Sequence, residues 1–144
     1  MTMHRLDTPG TGVALAPSIA HLFSAATLLL AGAIAGFFYA YSSSVMPGLD
    51  ATQANHAIAA MQAINSKVRN TVFFVAFFGM PVAAFVTAAL LFSVRQRIAA
   101  TLFLIAGVTY LVGAFLPTVL VNVPMNDALA VAEVPADPKE SAKL

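Results

Sequence analysis

The chain has 144 residues, of which 60% are hydrophobic and 9% charged, and its net charge is +1. Soluble domains have about 45–50% apolar and about 25% charged residues, so this composition excludes a soluble globule and indicates an integral membrane protein. The nearly balanced charge excludes the clustered basic surface of a nucleic-acid-binding protein. The absence of cysteine excludes disulfides and thiolate metal sites.

Three charge-free stretches predict three membrane-spanning helices, because a spanning helix needs about 20 apolar residues. We expect these spans at Ser18–Ser43, Thr71–Val94 and Ile98–Val121. Only Arg95-Gln96-Arg97 separates the second span from the third, so these two must form an antiparallel hairpin. The predicted fold is therefore all-α, a multipass membrane helical bundle in contact with the lipid bilayer.

The bundle is expected to form one domain, residues 18–129, between a flexible N-terminal lead-in, residues 1–17, and a polar C-terminal tail, residues 130–144. The first apolar run is much longer than the core of about 7–15 residues in a signal peptide. We therefore expect it to remain in the protein as an anchor. The basic residues divide almost evenly between the two membrane sides, so the positive-inside rule does not decide the orientation.

Small residues recur every four positions in the first span, at Gly32, Gly36, Ala40 and Ser44. Small side chains at this spacing allow two helix backbones to approach closely in a membrane. We interpret Gly32 and Gly36 as a helix-packing face. That face serves either the bundle itself or a homo-oligomer or partner helix.

A short interfacial helix is predicted between the first two spans, over Asp50–Lys67. Asp50 and Gln53 have the spacing of a capping box, and Pro47-Gly48 predicts the end of the preceding helix. Apolar residues then recur at helical spacing, and Asn65 falls on the same apolar stripe. The bundle is therefore expected to contain three spanning helices and one short interfacial helix.

An unusual group of polar residues follows the third span, where carboxamides and a carboxylate end a long charge-free run. Such groups cost free energy at low dielectric unless each finds a partner. The ends of the first and third spans and the start of the second lie on one membrane side, so their polar residues are expected to meet. The predicted cluster comprises Tyr39, Tyr41, Gln62, Asn65, Asn122, Asn126 and Asp127.

Asp127 and the two carboxamides of the interfacial helix each allow two interpretations. Asp127 either ends the third span and caps Ala128–Ala132, or serves as a general base beside an apolar pocket. Gln62, Asn65 and Arg69 lie about one helical turn apart at the entry of the second span. The carboxamides either satisfy backbone groups at the helix junction, or the three residues face Asn122, Asn126 and Asp127.

The tyrosines and histidines do not decide between a structural and a functional interpretation of the polar cluster. Tyr39 and Tyr41 either form an aromatic belt at headgroup level or line a pocket. Haem or metal ligation between helices would need histidines that face one another, and the second and third spans contain none. His21 is explained by snorkelling to the interface, so we expect no metal site.

Three segments, Tyr39–Leu49, Ala60–Asn65 and Asn122–Leu129, occur in the order found in the anthrone-oxygenase-like family of small integral membrane proteins, and the chain resembles its bacterial branch. The resemblance implies a four-helix membrane bundle, located here in a bacterial inner membrane. It also implies oxidation of anthrones to anthraquinones without metal or flavin, so no cofactor is expected.

The chain departs from the family in one respect. Family members continue into a fourth helix that follows a Trp-rich segment, and this sequence contains no Trp. We expect either that the chain is a fragment or that a partner supplies the fourth helix.

The resemblance implies roles for the polar cluster in the oxidation of an apolar aromatic small molecule. Asp127 would be the base, Tyr39 and Tyr41 would line the slot, and the hydrogen-bond donors would be Asn122, Asn126, Gln62 and Asn65. The alternatives are a noncatalytic membrane subunit and a small passive transporter component. Proton-coupled transport is disfavoured, because the predicted spans contain no Asp, Glu, Lys or Arg.

Overall fold

The computed structural model describes residues 11–135, 137 and 139, with side chains described from residue 15 onward. Regular structure in this part of the chain is entirely helical, which confirms the all-α prediction. Three continuous helical segments are long and apolar enough to cross a membrane, and they are Leu15–Asp50, Thr71–Ser93 and Arg97–Ala130. The protein is therefore a multipass membrane protein, and its outward-facing apolar side chains contact lipid.

The described chain consists of α-helices joined in places by π-helical turns. The elements are α1 Thr11–Ala40, π1 Tyr41–Val45, α2 Met46–Asp50, α3 Ala54–Val68, α4 Thr71–Ser93, α5 Arg97–Tyr110, π2 Leu111–Phe115, π3 Thr118–Asn122 and α6 Val123–Ala130. The predicted second span differs from α4 by one residue. The predicted first span starts too late, because residues 11–17 of the expected flexible lead-in are helical. Residues 1–10 lie outside the described residues.

Each π-helical turn ends two residues before a proline. The residue before the proline donates its N–H to the carbonyl five residues earlier, as Met46 does to Tyr41, Leu116 to Leu111 and Val123 to Thr118. A proline has no N–H, and its ring collides with the carbonyl four residues back in a regular α-helix. We attribute the wider turns to this conflict, since they let the helix continue where it would otherwise break.

The helix ends differ accordingly from the expected ones. The predicted break at Pro47-Gly48 is wrong, because the first helical segment continues to Asp50. The third continues past Val121 to Ala130, so the polar residues lie within its last turns. The predicted capping box also fails, since α3 begins at Ala54 and Gln53 makes no capping bond through its side chain.

The central helix of the bundle is α4, which packs against both α1 and α5. The α4–α5 hairpin predicted from the short link is present, and its turn places Arg95 at a φ of 63°. At the opposite end, α3 contacts α2 on one side and α6 on the other. Helix α3 thereby joins the end of the first spanning segment to the end of the third.

Small residues allow close helix contact, but at a different position from the predicted one. A Cβ added at Gly107 would lie 3.2 Å from the Phe85 ring and 3.3 Å from the Cβ of Ala84, because α5 approaches α4 closely there. Gly32 and Gly36 are exposed, and a Cβ on either would meet nothing within 4 Å. The described bundle does not use this face, so association with another helix stays a prediction.

A buried hydroxyl pair, absent from the sequence-based expectations, joins α1 to α4. The Oγ1 atoms of Thr27 and Thr87 lie 2.8 Å apart, and Thr27 also donates to the carbonyl of Phe23. Thr87 is therefore the donor within the pair, since the Thr27 proton is already used. Hydrogen bonds between membrane helices average about 0.6 kcal/mol, so this pair serves the register of the helices more than their stability.

Candidate functional site

A cavity of about 620 Å³ lies where the ends of the outer spanning segments, the first half of α4 and helix α3 meet. Small-molecule sites in proteins usually measure about 300–1,000 Å³. The cavity is on the membrane side where the polar cluster is expected. Its walls have two kinds of lining, which come from different elements.

One wall is aromatic and is supplied by α1 and α4. Its rings belong to Phe37, Phe38, Phe73, Phe74, Phe77 and Phe78. Phe73 and Phe77 are one helical turn apart, and their rings are nearly parallel, with centroids 5.2 Å apart and an angle of 18°. The Phe37 ring joins them from α1, with its centroid 5.1 Å from that of Phe73. Such a surface suits a flat aromatic ligand.

The polar residues of the lining come from the π-helical turns, α3, α6 and the residue after α3, and these elements also contribute methionine and valine side chains. The polar residues are Tyr41, Asn65, Arg69, Thr118, Asn122 and Asn126. Tyr41 is the first residue of π1, and Thr118 and Asn122 are the two ends of π3. Two widened turns therefore lie on the cavity, and π-helical turns are frequent at functional sites.

Asn65 is the most buried polar residue of this lining, with a relative exposure of 6%. Its Nδ2 atom is buried and has no hydrogen-bond partner among the described residues. An unsatisfied buried donor costs about 1–3 kcal/mol, and such groups are rare in folded proteins. The predicted position of Asn65 on the apolar face of its helix is correct.

Arg69 and Asp127 form an ion pair between the residue that follows α3 and helix α6. Arg69 lines the cavity, whereas Asp127 is absent from its lining and reaches it only through the ion pair with Arg69. The two side chains are 50% and 56% exposed, and exposed pairs contribute only about 0–1 kcal/mol. The pair therefore holds the Arg69 guanidinium in place more than it stabilises the fold. Asp127 lies inside α6, so the expected cap on Ala128–Ala132 does not form.

Gln62 joins α3 to the end of α6. Its Nε2 donates to the carbonyls of Leu129 and Ala132 over 2.8 Å and 3.0 Å. This matches the first of the two interpretations for Gln62, in which the carboxamide satisfies backbone groups. Both donor hydrogens are used, and Gln62 does not line the cavity.

The structure brings four of the predicted site residues to one cavity: Tyr41, Asn65, Asn122 and Asn126. Tyr39 lies outside it and is 73% exposed, so its predicted binding role finds no support. The site roles assigned from the sequence stay predictions.

Sequence reasoning gave Arg69 no role in the site and missed the phenylalanines that α4 contributes to the aromatic wall. Two patterns could have indicated them. Arg69 follows Asn65 by one helical turn, and the phenylalanines at 73 and 77 are one turn apart on α4.

His21 lies at the other end of the bundle, where its Nε2 is 3.3 Å from the Nε2 of Gln96. Within the described residues, no group of three histidine or acidic side chains could hold a metal ion.

Comparison with known proteins gives one family match. The family model for anthrone oxygenase matches residues 71–144, just over half of the chain. The match includes the Asn122–Leu129 motif and begins after the Tyr39–Leu49 and Ala60–Asn65 motifs. No curated protein sequence and no solved structure matches the chain.

Proposed function

The chain belongs to the anthrone oxygenase family, and we propose that it oxidises a flat aromatic or polyketide-type substrate with dioxygen in the cavity described above. The observation that carries this proposal is the composition of the cavity lining, in which phenylalanine rings from α1 and α4 occur together with carboxamides from α3, π3 and α6. An apolar slot with a few polar groups is typical of small-molecule sites.

The proposed substrate carries a methylene group between two aromatic rings that are also joined by a carbonyl. Removal of one methylene proton by a base gives a carbanion whose charge extends to the carbonyl oxygen. This anion reduces dioxygen. One oxygen atom becomes the new carbonyl oxygen of the product, and the other leaves as water with the two methylene hydrogens. The protein would supply a base, hydrogen bonds to the developing oxyanion and a slot that excludes water.

We assign the base role to Asp127 and the donor role to Asn122 and Asn126. Asn126, the neighbour of Asp127 in sequence, lines the cavity, and so does Arg69, which forms an ion pair with Asp127. Asp127 could therefore act in two ways: as the base itself, or as the partner that holds Arg69 toward the developing negative charge.

Turnover assays on the full chain in nanodiscs, with a model anthrone under air and under nitrogen, test the proposal. The Asp127→Asn variant should lose at least about 100-fold in rate, as expected when a general base is removed. Ser66→Ala is a matched control, because Ser66 is exposed and bonds only within its own helix. No dioxygen-dependent acceleration by the unmodified chain would refute the oxygenase function.

A further variant separates the two roles of Asp127. If Asp127 only positions Arg69, then Arg69→Gln and the double variant Arg69→Gln/Asp127→Asn should be as slow as Asp127→Asn. If Asp127 is the base, Arg69→Gln should retain more activity than either variant that lacks the carboxylate. Unchanged turnover in Asp127→Asn would rule out both roles.

The exposed Gly32–Gly36 face supports a second candidate function, that of a noncatalytic subunit that packs on another membrane helix. Because a Cβ at either glycine meets nothing within 4 Å, bulky residues there should leave the fold intact. Replacing both with leucine should reduce the oligomer size in detergent if this face associates. An unchanged oligomer would argue against the candidate.

The proposed location, a bacterial inner membrane, is testable by fractionation of expressing cells.

A further inference from the structure

We propose that Asn65 selects the ligand of the cavity, by donating a hydrogen bond from Nδ2 to an oxygen acceptor on a planar, lipid-soluble molecule. The same ring system without such an oxygen should bind more weakly. This inference rests on the proposed function, since it concerns the same cavity. The inference adds to that function the residue that distinguishes aromatic ligands with an oxygen acceptor from those without one.

The first argument is that Asn65 differs from the other carboxamides nearby. Gln62 uses Nε2 for two carbonyls of the α6 end. Asn70 donates to the carbonyl of Lys67 and accepts from the N–H of Phe73, which caps α4. Asn65 Nδ2 is buried and has no partner within the described part of the chain. Asn65 therefore combines a buried donor that no described residue uses with a position in the cavity lining.

The second argument concerns what surrounds Asn65 on its own helix. Met61 and Val68 lie one turn before and one turn after it, and all three line the cavity. Neither neighbour offers a strong acceptor, and the phenylalanine rings of the aromatic wall offer none. Tyr41, Thr118, Asn122 and Asn126 also line the cavity, but none of them is a hydrogen-bond partner of Nδ2. A ligand in the cavity is therefore the acceptor that we propose. Asn65 lines that cavity, and the proposed contact requires its carboxamide to turn about χ2 until the buried Nδ2 faces the ligand.

The third argument is energetic. Filling the cavity with a ligand that has no acceptor leaves the buried donor unsatisfied, whereas a carbonyl oxygen satisfies it. Sites that hydrogen-bond a polar group of the ligand discriminate strongly against analogues without it, because the buried polar group of the site is then unpaired. We expect at least about a tenfold difference in affinity between the two kinds of ligand.

The experiment compares two probes with the same three-ring frame, anthrone and dihydroanthracene, of which only anthrone carries a carbonyl oxygen. Binding to the full chain in nanodiscs is measured by equilibrium dialysis under nitrogen, with empty nanodiscs as the correction for partition into lipid. The unmodified chain should bind anthrone at least about tenfold more tightly. Asn65→Leu should remove most of this difference without weakening dihydroanthracene binding, and Ser66→Ala should change neither affinity.

The outcomes separate this inference from the function on which it rests. If both probes bind equally and Asn65→Leu has no effect, the role of Asn65 is overturned while the aromatic cavity stands. If neither probe binds the unmodified chain, the proposed function fails with it.

Thermal unfolding of the ligand-free chain gives a second readout, one that a structural role would move in the opposite direction. Because Asn65→Leu removes an unsatisfied buried donor, its thermal unfolding midpoint should equal or exceed that of the unmodified chain. A clearly lower midpoint would show that the protein itself uses this amide, and would overturn the proposal.

Discussion

The hydroxyl of Tyr110 donates a hydrogen bond of 2.9 Å to the main-chain carbonyl of Phe77. This is the carbonyl that the residue four positions later would bind in a regular helix, and that residue is Pro81, which has no N–H. Helix α5 therefore supplies the donor that α4 lacks. The bond lies between two spanning helices, where no water is available to replace it.

We predict that Tyr110→Phe destabilises the fold by about 1–3 kcal/mol, because the Phe77 carbonyl loses its partner in a buried place. In the Pro81→Ala background the helix regains an N–H at that position, so the same substitution should cost less than about 0.5 kcal/mol. Unfolding in mixed micelles by increasing SDS gives the free energies for this double-mutant cycle. Equal costs in the two backgrounds would show that Tyr110 acts through packing alone.

A second prediction separates the two small-residue positions of the bundle. Gly107→Leu should destabilise by about 1–3 kcal/mol, because its side chain would collide with Phe85 and Ala84. Gly32→Leu should stay within about 0.5 kcal/mol, as expected for an exposed site without such contacts. The same unfolding assay measures both. If Gly32→Leu lowers the free energy of unfolding by clearly more than this amount, a partner helix is bound at that position.

A third prediction concerns the α4–α5 turn. The N–H of Gln96 bonds the carbonyl of Leu91 and that of Arg95 bonds Phe92, which is the Schellman pattern that ends many helices. The residue with positive φ is usually glycine in this pattern, and here it is Arg95.

Arg95→Gly should therefore stabilise the fold by about 1 kcal/mol through relief of the left-handed conformation. Arg95→Ala is the control, since it removes the same charge and keeps the strain. Equal stabilities of the two variants would contradict this explanation.

A fourth prediction concerns the contact between α3 and α6. Gln62→Met keeps the length of the side chain and removes both hydrogen bonds to the end of α6, so it should cost about 1 kcal/mol. Amide hydrogen exchange over Val123–Ala130 should become faster as α6 loosens. Gln53→Met is the control, because Gln53 is exposed and makes no capping bond through its side chain. Similar amide exchange rates in the two variants would argue against Gln62 as a tether, that is, as the side chain that holds the end of α6 to α3.

The features that depend on local sequence were predicted well. The bounds of α4 follow from a charge-free run that begins at Asn70, whose side chain caps the helix. The hairpin follows from a link too short for any other arrangement. The inward position of Asn65 follows from helical periodicity, which is the same in any helix.

The helix ends near prolines were not predicted. Proline usually ends a helix, so Pro47 was expected to break the first one, yet the preceding π-helical turn lets the helix continue. The continuation of the third spanning segment past Val121 was also missed, because polar residues end the charge-free run there. Whether a helix widens or breaks depends on the packing available on both sides, and the local sequence does not contain that information.

The sequence by itself determined the class of protein, the number of spanning helices and the family. It also determined that polar residues gather at one end of the bundle. These properties follow from composition, run length and motif order. Only the tertiary structure decided the pairing of Arg69 with Asp127, the use of Gln62 as a tether and the unpartnered donor of Asn65. The physical reason is that a polar group in low dielectric takes whichever partner packing brings within reach. These partners lie on helices far apart in the chain.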